Sequence, residues 1–221
     1  MAAEAQWVTE RLGRDGAAPL PVEWVVADAA SGTCLHATIR VEGLHPRKPL
    51  DVFVPCRKRL ELPPERQFTR AVVHPGYLPL VERVWSDGAA GGTDTLCLLP
   101  AQPGVEQEIE AIEFLPDGAE LPYASLLALQ SLVEFLDLHP DVRLAVIGNV
   151  NDPDHLLEEA ECLRLSRDRA RAVWEFLLLS GIDPRRIEVQ GRGRENMRFP
   201  RPTTPEEVDA NRRITIRVLE S

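Results

Sequence analysis

"LSRDRARAVWEFLLLSGI", Leu165–Ile182, holds apolar residues at helical spacing and stops at a glycine. Gly181 is suited to the left-handed residue that closes a helix. Upstream, "LEEAECLR" extends the same helix, so that Leu163, Ala170, Val173 and Leu177 share its inner face. The first turn of the quoted stretch carries Arg167, Asp168, Arg169 and Arg171. Such a cluster is either a solvated helix end or a place where one arginine holds a ligand.

The segments on either side set the architecture. "VRLAVIG" before the helix is mostly apolar, as expected of a strand covered by helices, and "RIEVQG" follows as another strand. "IEAIEF" alternates through Ile109, Ala111 and Phe114 and predicts a first strand. "YASLLALQSLVEFLDLHP" predicts a helix with a stripe of Leu126, Leu129, Leu132, Val133 and Leu136, stopped by Pro140. "TTPEEVDANRR" opens with Thr204 as a cap and Pro205 at the first helical position, and "RITIRVLE" alternates as the last strand. The order βαβαβ(α)β predicts a C-terminal α/β domain at 107–221, with helices on a mixed sheet.

The first half has another texture. Within "VEWVVADAASGTCLHATIRVEG", Trp24–Ala27 and Ala37–Val41 read as strands around a turn with Asp28, Ser31 and Gly32. "LDVFVP" follows, with Val52 and Val54 opposite in phase to Asp51 and Phe53, then "LELPP", "FTRAVVHPGY" and "LPLVERVW". Short strands at turn-spaced intervals predict an all-β sandwich at 22–95, after an N-terminal extension at 1–21. The glycines of "SDGAAGGTDT" precede neither Gly-Lys-Ser/Thr nor a helix, so they mark a loop rather than a phosphate cradle. Residues 96–106 read as the linker.

Composition narrows the function classes. The 221 residues carry a formal net charge of -10, against the basic footprint that nonspecific nucleic-acid binding requires and against attraction to anionic lipid. No stretch approaches the ~18 apolar residues of a membrane span. The start "MAAEAQWVTERLG" has no basic-then-apolar leader. Taken as a native start it predicts a cytoplasmic protein; a removed signal peptide would make it periplasmic. Cys34, Cys56, Cys97 and Cys162 show no CxxC spacing, which disfavours zinc, and read as small buried apolar residues. A disulfide stays open, but sequence does not pair them.

Catalysis finds little support. His36, His45, His74, His139 and His155 are dispersed, no serine lies in GxSxG, and Cys34-Leu-His36 is too short to define a metal site. Glu110 and Glu113 read as solvent-side residues of the first strand. No enzyme activity, cofactor or metal is expected.

Two resemblances add to this. "VVADAASGTCLHATIRVEG" with "LELPPERQFTRAVVHPGYLPLVERV" resembles the carboxypeptidase regulatory-like, or transthyretin-like, sandwich, although Cys34 replaces a usual proline and Glu65-Arg66 a glycine turn. That resemblance implies a noncatalytic spacer or adhesion module. "IEFLPDGAEL", "VRLAVIGNVND", "LRLSRDRARAVWEFLLLSGI", "RIEVQGRGREN" and the closing "NRRITIRV" resemble the OmpA-like peptidoglycan-binding domain. Its ligand is the diaminopimelate of peptidoglycan, a zwitterion that needs both signs in one pocket. Arg169 matches the arginine of the motif LSxxRA and is the implied carboxylate ligand.

The rest of the implied ligand set departs from the pattern. Gly-His-Thr-Asp becomes Gly148-Asn149-Val150-Asn151, so neutral Asn151 stands where the ammonium-binding aspartate is usual. Cys162 replaces an asparagine and Leu115 an aspartate. The loop from Asn151 to Arg169 is longer than the pattern, and Asp152 or Asp154 would have to restore the lost charge. Asn211, Arg212 and Arg213 are retained, with a cap and charge pair as their expected first role and ligand contact as the second. "GRGREN" reads as an exposed arginine turn, with an anion site as the rarer alternative. The expectation is a noncatalytic docking subunit of a bacterial assembly with a degenerate peptidoglycan site and protein partners. The alternative is a working peptidoglycan anchor of the cell envelope.

Overall fold

The structure, a computed structural model, describes residues 18–44, 48–89, 91–115 and 118–220. Most of the 1–21 extension, and His45, lie outside the described residues. The chain forms two compact units, Met1–Pro100 and Ala101–Ser221.

The first unit holds β1 (Leu20–Asp28), β2 (His36–Glu42), β3 (Leu50–Pro55), β4 (Arg57–Leu62), β5 (Gln67–Val72), β6 (Leu80–Trp85) and β7 (Thr93–Leu98). They make two sheets, ordered β4-β1-β7 and β3-β2-β5-β6. Alternation drives the burial. Val22, Trp24 and Val26 of β1 face one core with Ile39 and Val41 of β2, Val54, Phe68, Val72, Leu96 and Leu98. In β3, Val54 is buried and Asp51 and Phe53 are exposed, the phase read from the sequence.

Arg70 is buried within this unit. Its Nη2 donates to Glu82, its cross-strand partner, at 2.7 Å, and its Nη1 pairs with Asp94 of β7, in the other sheet. The guanidinium carbon lies 5.7 Å from the Trp24 ring centroid. One paired arginine thus ties the two sheets together.

Two readings of this half need correction. The expected linker at 96–106 begins with Leu96, Cys97 and Leu98, which are the last residues of β7. Strand β7 pairs in parallel with the distant β1, a partner that no local signal announces. Cys34 and Cys56 are joined in a disulfide rather than buried as thiols, whereas Cys97 is a free exposed thiol and Cys162 a free buried one. Cys56 stands between β3 and β4, where the chain passes from one sheet to the other, with φ of 69°.

The second unit holds β8 (Glu106–Ile109), α1 (Leu126–Leu138), β9 (Leu144–Gly148), α2 (Glu159–Leu179), β10 (Ile187–Gly191), α3 (Pro205–Asn211) and β11 (Ile214–Val218). The sheet order is β10-β9-β11-β8, with β9 and β10 parallel and β11 antiparallel to its neighbours β9 and β8. Among the described residues no helix is long and apolar enough to cross a membrane.

The first strand lies earlier than expected. It ends at Ile109, and Ala111 and Ile112 are both buried in the turn that leaves the sheet, a pattern that alternation cannot produce. Helix α1 buries the expected Leu129, Leu132 and Leu136, together with Leu127, Ala128 and Phe135, whereas the expected Leu126 and Val133 are only half-buried. Arg186 satisfies the orphan carbonyls where α1 ends, donating to Leu136 O at 2.9 Å, His139 O at 2.6 Å and Val142 O at 3.0 Å. Helix α2 closes as expected on Gly181 (φ 94°), with Ile182 N donating to Leu177 O at 3.1 Å and Gly181 N to Leu178 O at 3.0 Å.

The sheet face away from the helices is held by ion pairs. Glu106 accepts from Arg192 and lies 3.5 Å from Arg217. Glu108 accepts from Arg213 at 2.7 Å, and Glu110 from Arg198 at 2.7 Å. Long arginine stems can cover apolar surface while their heads meet carboxylates. Glu110 is exposed, as expected, but it lies beyond the end of β8, where it pairs with Arg198 rather than standing on the strand.

Candidate functional site

The site grows from the contact between α2 and two strand-end glycines. A Cβ on Gly148 would sit 1.8 Å from Ser166 O, and one on Gly191 2.5 Å from Ser166 Oγ. Helix backbone therefore rests directly on the sheet. Ser166 Oγ donates to Leu163 O at 2.9 Å and accepts from Gly193 N at 2.9 Å. The inner face of α2 is Cys162, Ser166, Arg169, Ala170, Val173 and Leu177, and Leu163, expected inside, is 37% exposed. One turn beyond Ser166, this seat delivers Arg169 to the exit of β9.

Arg169 has 0% exposure. Its Nε donates to Gly118 O at 3.1 Å, Nη1 to Asn149 O at 3.3 Å and Nη2 to Leu115 O at 3.4 Å. Its guanidinium carbon lies 5.2 Å from the Phe114 ring centroid, within reach of a cation–π attraction. The guanidinium fork therefore ties the chain leaving β8 to the exit of β9.

Asn151 is half-buried and accepts from Asn211 Nδ2 at 2.7 Å. Asn211 is fully buried: Nδ2 also donates to Phe199 O at 2.7 Å and Oδ1 accepts from Phe199 N at 2.9 Å. Two asparagines thus stitch the β9 exit to the segment before α3. Arg212 pairs with Asp209, and Arg213 takes Glu108 and donates to Asn196 O at 2.8 Å.

Asp152 is buried and receives Leu156 N at 2.8 Å, Leu157 N at 3.4 Å, Cys162 Sγ at 3.4 Å and the Arg194 guanidinium. Burial pushes its carboxyl up, but these donors outweigh burial and hold it below the ordinary aspartate value. Burial and then the Asp152 carboxylate push the Cys162 thiol up, so it stays protonated as a donor. Asp154 is exposed and makes no hydrogen bond or ion pair among the described residues.

The structure thus brings Asn151 to Asn211 and engages Asp152 with Arg194, while Asp154 points to solvent at the same loop. Sequence reading missed Arg194 and Arg192, which it left in an exposed turn; each is spent on a carboxylate, Asp152 and Glu106. Their pairing leaves little of an anion site there. The available signal was the excess of arginines after β10 facing acidic residues far earlier in the chain. No group of three or more metal-ligating side chains occurs among the described residues. In the first unit a cleft lined by Glu23, Arg59, Gly91 and Gly92 is shallow and offers no convergent buried polar group.

Residues 113–212 match the model of the OmpA family. The chain contains an OmpA-family domain. Solved structures similar to it include the periplasmic domain of Helicobacter pylori MotB, 17% identical over 54% of this chain and 78% of that one, with a TM-score of 0.47. The OmpA-like domain of FopA1 from Francisella tularensis is 22% identical, covers 50% of this chain and 73% of that one, and has a TM-score of 0.42. The peptidoglycan-associated lipoprotein from Burkholderia pseudomallei is 22% identical, covers 49% and 86%, and has a TM-score of 0.42. A comparison with curated proteins gives no match. In the OmpA-like domain Arg169 occupies the motif position expected of the ligand arginine, and its described donors go to backbone carbonyls.

Proposed function

We propose that the chain is a noncatalytic structural or docking subunit of a bacterial envelope assembly, built on an OmpA-like domain whose pocket has lost peptidoglycan binding. The observation that carries this reading is the position of Arg169: fully buried, donating to Gly118, Asn149 and Leu115 carbonyls. A ligand carboxylate would have to displace bonds the protein already makes. Asp152, one candidate for the missing negative charge, is already bound to Arg194. Losing one partner of a desolvated charge pair costs about 2–5 kcal/mol of affinity, enough to abolish modest small-ligand binding. The first unit, read as a transthyretin-like spacer, would present or separate the OmpA-like domain.

The rival reading, a working diaminopimelate anchor, is favoured by one observation: exposed Asp154 lies on the loop where the pattern needs an acid. The Cys34–Cys56 bond supports an oxidising, periplasmic setting for either reading. Purified sacculi separate the two. A docking subunit is not retained by them. Retention of the wild-type chain that is lost in Arg169→Lys and Asp154→Asn, with both variants folded by circular dichroism, would establish the anchor.

A further inference from the structure

We infer that the OmpA-like domain holds one internal water molecule between Asn149 Oδ1 and Arg213 Nη1, on the sheet face away from the helices. Asn149 and Arg213 continue the register set by Gly148 and Ile214, and Asn149 N donates to Arg213 O at 3.1 Å. The Cβ direction at Gly148 points into α2, so the next side chain, Asn149, points to the opposite face. Arg213 faces the same way, and directly opposed cross-strand residues bring their Cβ atoms to about 5 Å.

The orientation of the Asn149 amide is settled by its acceptors. Nδ2 donates to Arg213 O at 3.2 Å and to Thr215 Oγ1 at 3.3 Å, and lies 3.5 Å from Ile147 O. Two of these are carbonyls, which can only accept, so the amide end that meets them is the NH2 donor. The other end of the amide, Oδ1, is therefore an acceptor, and it is buried without a protein partner. Arg213 spends Nε on Glu108 and Nη2 on Asn196 O, which leaves Nη1 buried without one as well. Asn149 is 2% exposed and Arg213 7%.

A lone acceptor and a lone donor on cross-strand neighbours are both satisfied by one group that donates to the first and accepts from the second. Water does both, and buried water takes up such pairs of unmet polar atoms. An anion would satisfy Arg213 but repel Asn149 Oδ1, and a cation the reverse. Because Asn149 also gives its carbonyl to Arg169, the bridge holds from behind the residue that meets the motif arginine from in front.

The test is a crystal structure of the full chain at a resolution that places solvent, with a count of long-residence waters by magnetic relaxation dispersion. Wild type, Asn149→Leu and Arg213→Lys are compared; the lysine keeps the charge opposite Glu108 but removes the fork. The expected result is one solvent peak within hydrogen-bond reach of both atoms, and one long-lived water fewer in each variant. Direct contact between Oδ1 and Nη1, or an unchanged count in the variants, would overturn the inference.

Discussion

Arg70 is the most buried arginine of the first unit and Arg169 of the second, and the two are used differently. Arg70 meets carboxylates, Glu82 on the neighbouring strand and Asp94 in the facing sheet, beneath Trp24. Arg169 donates to carbonyls, Gly118, Asn149 and Leu115, beside Phe114. The first joins regular strands; the second joins the chain segments that leave them. A guanidinium has five donors in a rigid fork, so it can clamp whichever acceptors surround it. The comparison teaches that burial of a motif arginine does not by itself mark an occupied ligand site. What matters is whether its donors point at open space or at the protein.

The largest effect that would break this comparison is loss of the seat that places Arg169. Gly148→Ala drives a methyl group to 1.8 Å from Ser166 O, a helix backbone atom that cannot step aside. We expect a loss of at least about 3 kcal/mol in chemical denaturation, as for severe overpacking. Gly92→Ala, whose Cβ would meet nothing within 4 Å, should change stability by less than about 0.5 kcal/mol. Similar losses in both would remove the close approach as the reason for the glycine.

The two arginines themselves come next. Arg70→Ala should cost about 3 kcal/mol, since it strands two partly buried carboxylates. Arg169→Ala should cost about 2 kcal/mol through unmet carbonyls. The sharper readout is location, by amide hydrogen exchange. The first variant should lose protection across β5, β6 and β7, the second at Gly118 and around Asn149. Loss confined to the same region in both would end the distinction.

The disulfide gives the first unit a constraint that the second lacks among its described residues. The sequence separation of Cys34 and Cys56 is 22, and releasing a loop of that size should cost about 2–3 kcal/mol. Cys34→Ser should therefore lower the stability of the first unit selectively. Alkylation of the unreduced native chain should label Cys97 readily and Cys162 slowly, with Cys34 and Cys56 protected until reduction. Labelling of all four thiols at once would refute the bond.

The smallest effect is a shift in acid sensitivity. The folded-state carboxyl of Asp152 lies below its ordinary value, so its stabilisation is present above the unfolded value near 3.8 and fades as pH falls through the folded one. Arg194→Leu removes one of the donors that depress it. Acid unfolding of the OmpA-like domain should then begin at higher pH than in wild type, by circular dichroism. An unchanged acid limb would mean that the backbone donors at Leu156 and Leu157 suffice.

Much of the second unit was legible because its signals are local. The periodicity of α1 and α2, the cap at Gly181, the Thr204–Pro205 start of α3 and the motif around Arg169 all depend on neighbours a turn or two away. Readings failed where a partner was remote. Ala111 and Ile112 are both buried by a turn, not by strand alternation, and β7 looked like linker because its partner, β1, lies far back in the chain. Arg192 and Arg194 looked exposed because Glu106 and Asp152 are brought to them only by folding.

By itself the amino-acid sequence determined the order of elements, the OmpA-like character of residues 113–212 and the place of Arg169 on α2. Tertiary structure alone decided what the arginine touches, which cysteines join, and that Asp152 belongs to Arg194. Helical phase is a property of adjacent residues, whereas the acceptors around a buried guanidinium come from segments that only chain closure brings within hydrogen-bond reach.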